Sequence, residues 1–350
     1  MALTKRVAPE KLTNFSAKVL GKVSVPPEEA MITAKKLVTT DIRGIDSHGT
    51  AHLRNYVNRI KEREINAKPK IEFLNRNPNT VIVDGDNGLG FVVSHYAMME
   101  AINRAQKAGF GTAAVRNSTH FGASSVYAIM PLEYDMIGVS ISTGGIGMRI
   151  PGSTSTTGGV SPISIAVPAG KKAPFVLDMA TTVVAEGKIE VARRLGRTMP
   201  EGWVTDTEGN PITDPNKFDH KLGGMLPLGG KPETGAYKGY ALAVLVDIFA
   251  NILSGGTEEM RCRAGSHFFS AIRVDNFLSV NEFKKKMDDM IGSIEALPTV
   301  PGTKKVYAAG GYEAEVVKDR TANGIPIDEV WFNSLKELSE NFGVECNIEI

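Results

Sequence analysis

Two histidine-bearing segments hold the side chains best suited to chemistry. The first, TDIRGIDSHGTAHLRNYV (40–57), carries His48 and His52 four residues apart, with Gly49 between them and Arg43 and Arg54 to either side. The second, RNSTHFGASSVYA (116–128), sets His120 before Phe121 and Gly122. Imidazole titrates near neutrality, so His48 and His120 can each act as general acid or base at cell pH. The spacing of His48 and His52 also puts two rings on one helix face, as a zinc site requires. No glutamate lies between them in the HExxH manner and no third ligand is evident, so no metal is expected. The plainer reading of the first segment is a helix cap by Ser47 or Asp46, with His48 incidental. For His120 it is a buried, hydrogen-bonded ring in a turn.

Phosphate-binding loops are absent in their standard forms. GDNGLG (85–90) stands between a strand and a helix, but its spacing is G-x-x-G-x-G, not the dinucleotide G-x-G-x-x-G. STGGIGMRIPG, which opens on Ser142 and Thr143, fails the same test. GGMLPLGGK has the wrong spacing for a P-loop, and Pro232 stands where Ser or Thr is required. Any dinucleotide is therefore held without a Rossmann turn. At Tyr237-Lys238-Gly239 a lysine opens an apolar helix, where the macrodipole favours anions. An anionic ligand would resolve that conflict; a lysine reaching into solvent is the simpler alternative.

These residues need elements to position them. Apolar spacing predicts helices over 8–22, 27–43 and 50–63, making the first 65 residues all-helical, and another over 326–344. Between them, strands are expected at 80–85, 112–117, 136–142, 163–169, 175–179 and 266–275, with helices at 90–109, 123–131, 181–195 and 238–254. The glycine-rich span 196–237 reads as loop. Alternating strands and helices imply an α/β fold: a mixed-sheet domain over 76–311, flanked by a helical domain from both termini (1–75 and 312–350). His120 then sits where a strand turns into a helix, the edge at which α/β proteins bind ligands.

Composition narrows the partners. The 350 residues are 42% hydrophobic and carry a net charge of +1, which fits a soluble globular protein and leaves no basic footprint for nucleic acid. The most apolar run, 240–253, is short and contains Asp247 and Asn251, so no membrane span is expected. Cys262 and Cys346 form no CxxC pair, and no secretory h-region is visible, so a cytoplasmic location is expected.

Five ordered motifs together resemble the malate/L-lactate dehydrogenase family of the sulfolactate and ureidoglycolate dehydrogenase type, which is unrelated to the Rossmann-fold lactate and malate dehydrogenases. They are RGIDSHGTAHLRNYV, NSTHFG, the long run from FVLDMATTVVAEGKIEVARRLG to GNPITDP, YKGYALAVLVDI and NGIPI. The resemblance implies a helical domain built from both termini, an α/β domain binding NAD or NADP (NAD favoured) without a Rossmann fingerprint, and a homodimer. It implies reversible hydride transfer between the nicotinamide and C2 of a small 2-hydroxy or 2-oxo acid, with His48 or His120, slightly favouring His120, as proton donor or acceptor. It places cofactor contacts at Ser142, Thr143, Asp178, Met179, Ala180, Tyr237, Lys238, Ala309, Gly310 and Gly311, and substrate contacts near Ser47. Three departures stand out: His52 replaces the usual carboxylate-gripping arginine, Val160-Ser161 stand within the G-T-N-P element, and Gly311 replaces an acidic or amide residue. The first leaves Arg54 or Arg43 to hold the substrate acid. It also keeps two alternatives open: a non-catalytic NAD(P)-binding protein, or a reductase of a cyclic imine or ureidoglycolate-type substrate.

Overall fold

The computed structural model describes residues 5–145, 147–157, 159–257 and 265–350; Cys262 lies outside them. The helical layer forms as its periodicity predicts. Helix α1 (Pro9–Lys22) buries Leu12, Phe15, Val19 and Leu20. Helix α2 (Pro27–Ile42) also opens on a proline, where the missing N–H costs nothing. Helix α3 (Leu53–Lys61) buries Leu53, Tyr56, Val57 and Ile60. Strand β1 (Lys5–Val7) pairs antiparallel with β13 (Ile325–Ile327), so the first 65 residues are not all helical and the two ends of the chain are zipped together. The C-terminal α10 (Glu329–Phe342) starts where the Asp328 carboxylate accepts the Trp331 N–H at 2.9 Å, and buries Trp331, Phe332, Leu335 and Leu338 in the same core as α1–α3.

The main sheet has seven strands: β2 (Glu72–Asn77), β3 (Thr80–Asp84), β4 (Phe110–Arg116), β5 (Met136–Ser142), β8 (Pro162–Val167), β9 (Phe175–Ala180) and β12 (His267–Arg273). Their order is β2-β3-β4-β12-β5-β8-β9. Only β3 and β4 run parallel, joined by α4 (Gly90–Ala108), whose left-handed C-cap is Gly109; the sheet is mixed, as expected. Strand β12 runs antiparallel between β4 and β5, and His267 pairs with both Val115 and Ser142. The segments that follow β4 and β5 therefore leave the sheet at one edge.

Several expectations need correction. The 196–237 span is not simply loop: β10 (Val204–Asp206) and β11 (Gly223–Met225) join β6 (Met148–Arg149) and β7 (Thr156–Thr157) in a small four-stranded sheet with its own core of Ile189, Met199, Val204 and Met225. Helix α6 begins at Glu186 rather than 181; the preceding Thr182 and Val183 are extended and bond to the 226–227 segment. Helix α7 (Ala236–Asp247) gives way to a π-helical turn over Ile248–Ile252. The short α5 (Ser125–Ala128), α8 (Val280–Glu295) and α9 (Gly311–Asn323) complete the described helices. None of these is long and apolar enough to cross a membrane.

Candidate active site

The turn after α2 is built around a buried carboxylate. Asp41 is fully buried, and its Oδ2 accepts the Thr50 N–H at 3.0 Å and the Thr50 hydroxyl at 2.7 Å. That bond caps the turn entering α3, so the cap comes from Asp41, nine residues back, and not from Ser47 or Asp46. A Cβ at Gly49 would overlap Asp41 Oδ1. The glycine beside His48 thus exists to let a carboxylate pass. Arg320 on α9 ties down the same turn, donating to the Asp41 carbonyl at 2.6 Å and to the Asp46 carboxylate.

The result is to hold His48 in a cleft of about 870 Å³. Its Nδ1 lies 2.8 Å from Ser47 Oγ. His120 enters the same cleft from the segment after β4, with its ring 5.8 Å from that of His48 and 23° from parallel. Behind it, the hydroxyl of Tyr56 on α3 lies 2.7 Å from His120 Nδ1. Gly90 makes room for this segment: a Cβ there would strike the Thr119 and His120 carbonyls. The GDNGLG turn, which failed as a phosphate loop, serves to seat His120.

Both imidazoles stay neutral at neutral pH. Burial pushes His48 down to about 4, helped by repulsion from His52 and opposed by Glu186. Burial pushes His120 well below its ordinary value too, with His48 and His52 adding repulsion. Each ring is therefore a free base with one N–H.

The remaining expected residues divide. Arg43, Ser47, Ser142, Thr143, Asp178, Met179, Ala180, Ala309 and Gly310 all line this cleft. Arg43 has its Nε buried without a hydrogen-bond partner; burial lowers its pKa, while Asp178 and Glu313 attract its charge. The exposed edge of Asp178 faces the cleft; crowding by protein on its other sides pushes its carboxyl up to about 6, against hydrogen bonds from Ser125 and the pull of Arg43. Gly310, at φ +86°, leaves no room for a Cβ against Val176, so the 307–310 segment lies flat on β9.

Five expected residues lie elsewhere. His52 Nε2 donates to the Ser47 carbonyl at 2.8 Å and so braces the turn. Arg54 points to α10, bonding the Ser334 carbonyl at 3.2 Å and the Glu337 carboxylate. Tyr237 is exposed and Lys238 stands over its ring at 5.8 Å, outside the cleft. Gly311 starts α9 just beyond it. Sequence reasoning missed Tyr56, whose apolar face hid a hydroxyl in need of a partner, and Glu186, Lys188, Tyr307 and Glu313, which also line the cleft. Among the described residues no three His, Cys, Asp or Glu side chains gather as a metal would need.

Comparison with known proteins shows the family and the fold. The family model for malate/L-lactate dehydrogenase matches residues 7–336. The malate dehydrogenase of Pyrococcus horikoshii is 39% identical over 348 residues, covering 97% of this chain and 96% of the relative. The L-sulfolactate dehydrogenase of Methanocaldococcus jannaschii is 37% identical over 352 residues, covering 97% and 98%. The crystal structure of malate dehydrogenase from Entamoeba histolytica superposes with a TM-score of 0.94 at 31% identity, covering 99% of this chain and 100% of that one. This chain belongs to the malate/L-lactate dehydrogenase family and is an oxidoreductase of its hydroxy-acid class.

Proposed function

We propose that the cleft oxidises a small 2-hydroxy acid of the malate or lactate kind to its 2-oxo acid, and catalyses the reverse reduction. The observation that carries this reading is the convergence of two neutral, stacked imidazoles with Arg43 in one cleft. His120 is the base that takes the hydroxyl proton. Gly122 N–H donates to His120 Nδ1 at 3.4 Å beside the Tyr56 hydroxyl, so the neutral ring rests with its proton on Nε2, the form that donates to the oxo acid; the other tautomer, with Nδ1–H donated to the Tyr56 oxygen, frees Nε2 as the base for oxidation. The imidazolium that results is stabilised by the substrate's own carboxylate. His48, paired with Ser47, shares the oxygen or relays the proton. Arg43, which lines the cleft, presents the guanidinium for the carboxylate.

The donor set fits a nicotinamide dinucleotide. Small side chains at 144–145 and 308–310 leave space for a flat ring. The buried hydroxyls of Ser161 and Thr181, flanked by cleft-lining neighbours, have no protein partner. Ser142, Thr143 and the 178–180 strand end would hold the cofactor, which supplies the hydride acceptor. We favour NAD over NADP: the charged cleft-lining residues are Arg43 and Lys188 against Asp178, Glu186 and Glu313, a balance with no cation cluster for an added phosphate. We also propose a homodimer, supported by the exposed Leu245, Ile248, Ile252 and Leu253 along α7 and the turn that follows it, and by the exposed Val183 and Leu228 of the cleft lining. Tyr237 and Lys238 at the start of α7 would then reach a ligand only at such an interface. The helical and sheet units, divided at 75/76 and 311/312, and a cytoplasmic location complete the reading.

The test is a matrix of hydroxy acids (malate, lactate, sulfolactate, ureidoglycolate) against NAD and NADP, followed by absorbance of the reduced cofactor. Turnover of at least one 2-hydroxy acid is expected. Cofactor binding with no turnover of any acid in either direction would show a scaffold that binds without catalysing.

A further inference from the structure

His267 is fully buried, and no step above uses it. It stands at the start of β12, the strand inserted between β4 and β5, where the segments bearing His120 and Ser142 leave the sheet. Its Nδ1 lies 2.9 Å from Ser142 Oγ, and its Nε2 lies 3.0 Å from Ser118 Oγ. Its ring stacks on Phe121, 4.6 Å between centroids and 2° from parallel. One side chain therefore grips the His120 segment on both flanks, at 118 and at 121, and the cofactor wall at 142.

The neighbouring backbone repeats the link. Ser118 N–H donates to the Gly265 carbonyl at 3.0 Å, and Thr143 N–H donates to the Ser266 carbonyl at 3.0 Å. The hydrogen bonds also have a direction. Ser142 hydroxyl donates to the Thr143 carbonyl at 3.0 Å, so its oxygen is free to accept from Nδ1–H. Nε2 then accepts from the Ser118 hydroxyl. Burial pushes this imidazole down to about 3, so it stays neutral, with a single ring proton, through the working pH range.

We propose that His267 is a positioning residue for hydride transfer: it fixes the distance between the His120 segment and the Ser142 cofactor wall. The inference rests on the reading of the cleft given above. A merely structural histidine would affect stability; a spacer between proton acceptor and cofactor affects kcat.

The experiment uses the full chain with malate and NAD as probes, measuring kcat, malate KM and melting temperature. His120→Ala is the control, expected to lose most turnover. His267→Phe keeps an aromatic ring against Phe121 and removes both hydrogen bonds. It is expected to lower kcat at least about tenfold while malate KM stays within about threefold. His267→Gln, which restores a donor and an acceptor, is expected to recover most of that loss. Ser118→Ala, a milder change in case the Phe variant does not fold, is expected to lower kcat about threefold without lowering the melting temperature. The inference is overturned if folded His267→Phe turns over within about twofold of wild type, if Phe and Gln variants fall equally, or if Ser118→Ala leaves kcat unchanged. Loss of turnover in His120→Ala with full activity in His267→Phe sinks only the spacer role. Full activity in His120→Ala overturns both.

Discussion

The two histidine segments meet in one cleft but are held by opposite means. The 43–52 turn hangs on polar contacts: one buried carboxylate at Asp41, two bonds to Thr50, a His52 brace and Arg320 from a distant helix. The 117–124 segment is held by the sheet edge, by many dispersed hydrogen bonds such as those of Thr119, Ser124 and the Phe121 carbonyl, and by close packing, with Gly90 beneath it and Phe121 stacked between His267 and Tyr127. A turn fixed by few polar bonds concentrates its stability in single atoms. A segment fixed by many contacts spreads it. The helical layer therefore supplies a brittle wall to the cleft, and the sheet a robust one.

Removing the chemistry itself gives the largest effect. His120→Ala is expected to lower kcat for malate oxidation by about 10²–10⁴, and His48→Ala by a similar or smaller factor, with NADH binding by fluorescence largely retained. If both variants turn over like wild type, the cleft is not where the proton moves.

The difference between the walls is tested next. Gly49→Ala forces a Cβ onto Asp41 Oδ1 and is expected to cost about 3–5 kcal/mol, read from urea unfolding. Pairing it with Asp41→Ala should return part of that loss, because the clash at Oδ1 and the bonds at Oδ2 belong to one carboxylate. If the pair is no more stable than Gly49→Ala alone, the carboxylate is not what fixes the turn. By contrast Tyr127→Phe, on the sheet side, removes one bond to the Phe121 carbonyl and is expected to cost only about 1 kcal/mol.

A smaller effect lies in pH. The neutral ring is the base for oxidation, so activity is present above its pKa and is lost as pH falls through it. With His48 at about 4 and His120 also far below 6.5, kcat/KM for malate oxidation should stay level as pH drops past 6.5 and fall only toward 4. An inflection at 6.5 means the working imidazole is exposed to water. Folding follows the same sign. A depressed histidine favours the native state fully above 6.5 and loses that contribution between 6.5 and 4, so His48 works against the fold in acid, while Asp41 in the same turn, pushed up to about 7 by burial, works the other way.

How much of this was legible in the sequence follows from the same physics. Helices α1–α4 and α10 each bury a periodic apolar stripe and could be read. Helix α8 buries only Ile291 and α9 buries no side chain, so neither left a stripe to find. The strands of the small sheet are two or three residues long, shorter than one readable alternation. His48 and His120 were visible because their type is rare and their neighbours small. Asp41 and Tyr56 were not, because each acts on a partner folded against it, nine and 64 residues away. Lys238, unusual at a helix start, pointed to a ligand, but the single chain leaves it outside the cleft.

The smallest expected effect belongs to Arg54, one of the two arginines that the sequence left open, and it is told by contrast with Arg43. Arg54 follows His52 by two residues, about 200° round the helix from it. That turn carries its guanidinium away from the cleft to Glu337, in a half-exposed pair whose contribution to stability is at most about 1 kcal/mol. Arg54→Met should therefore leave malate kcat and KM within about twofold of wild type. Arg43→Met removes the guanidinium whose Nε has no partner, and should raise malate KM about tenfold or more with little change in melting temperature. The reverse pattern, with Arg54→Met raising KM and Arg43→Met neutral, would place the substrate carboxylate on the α10 side. The polar turn would then have no ligand to orient, and the comparison between its two walls would lose its functional meaning.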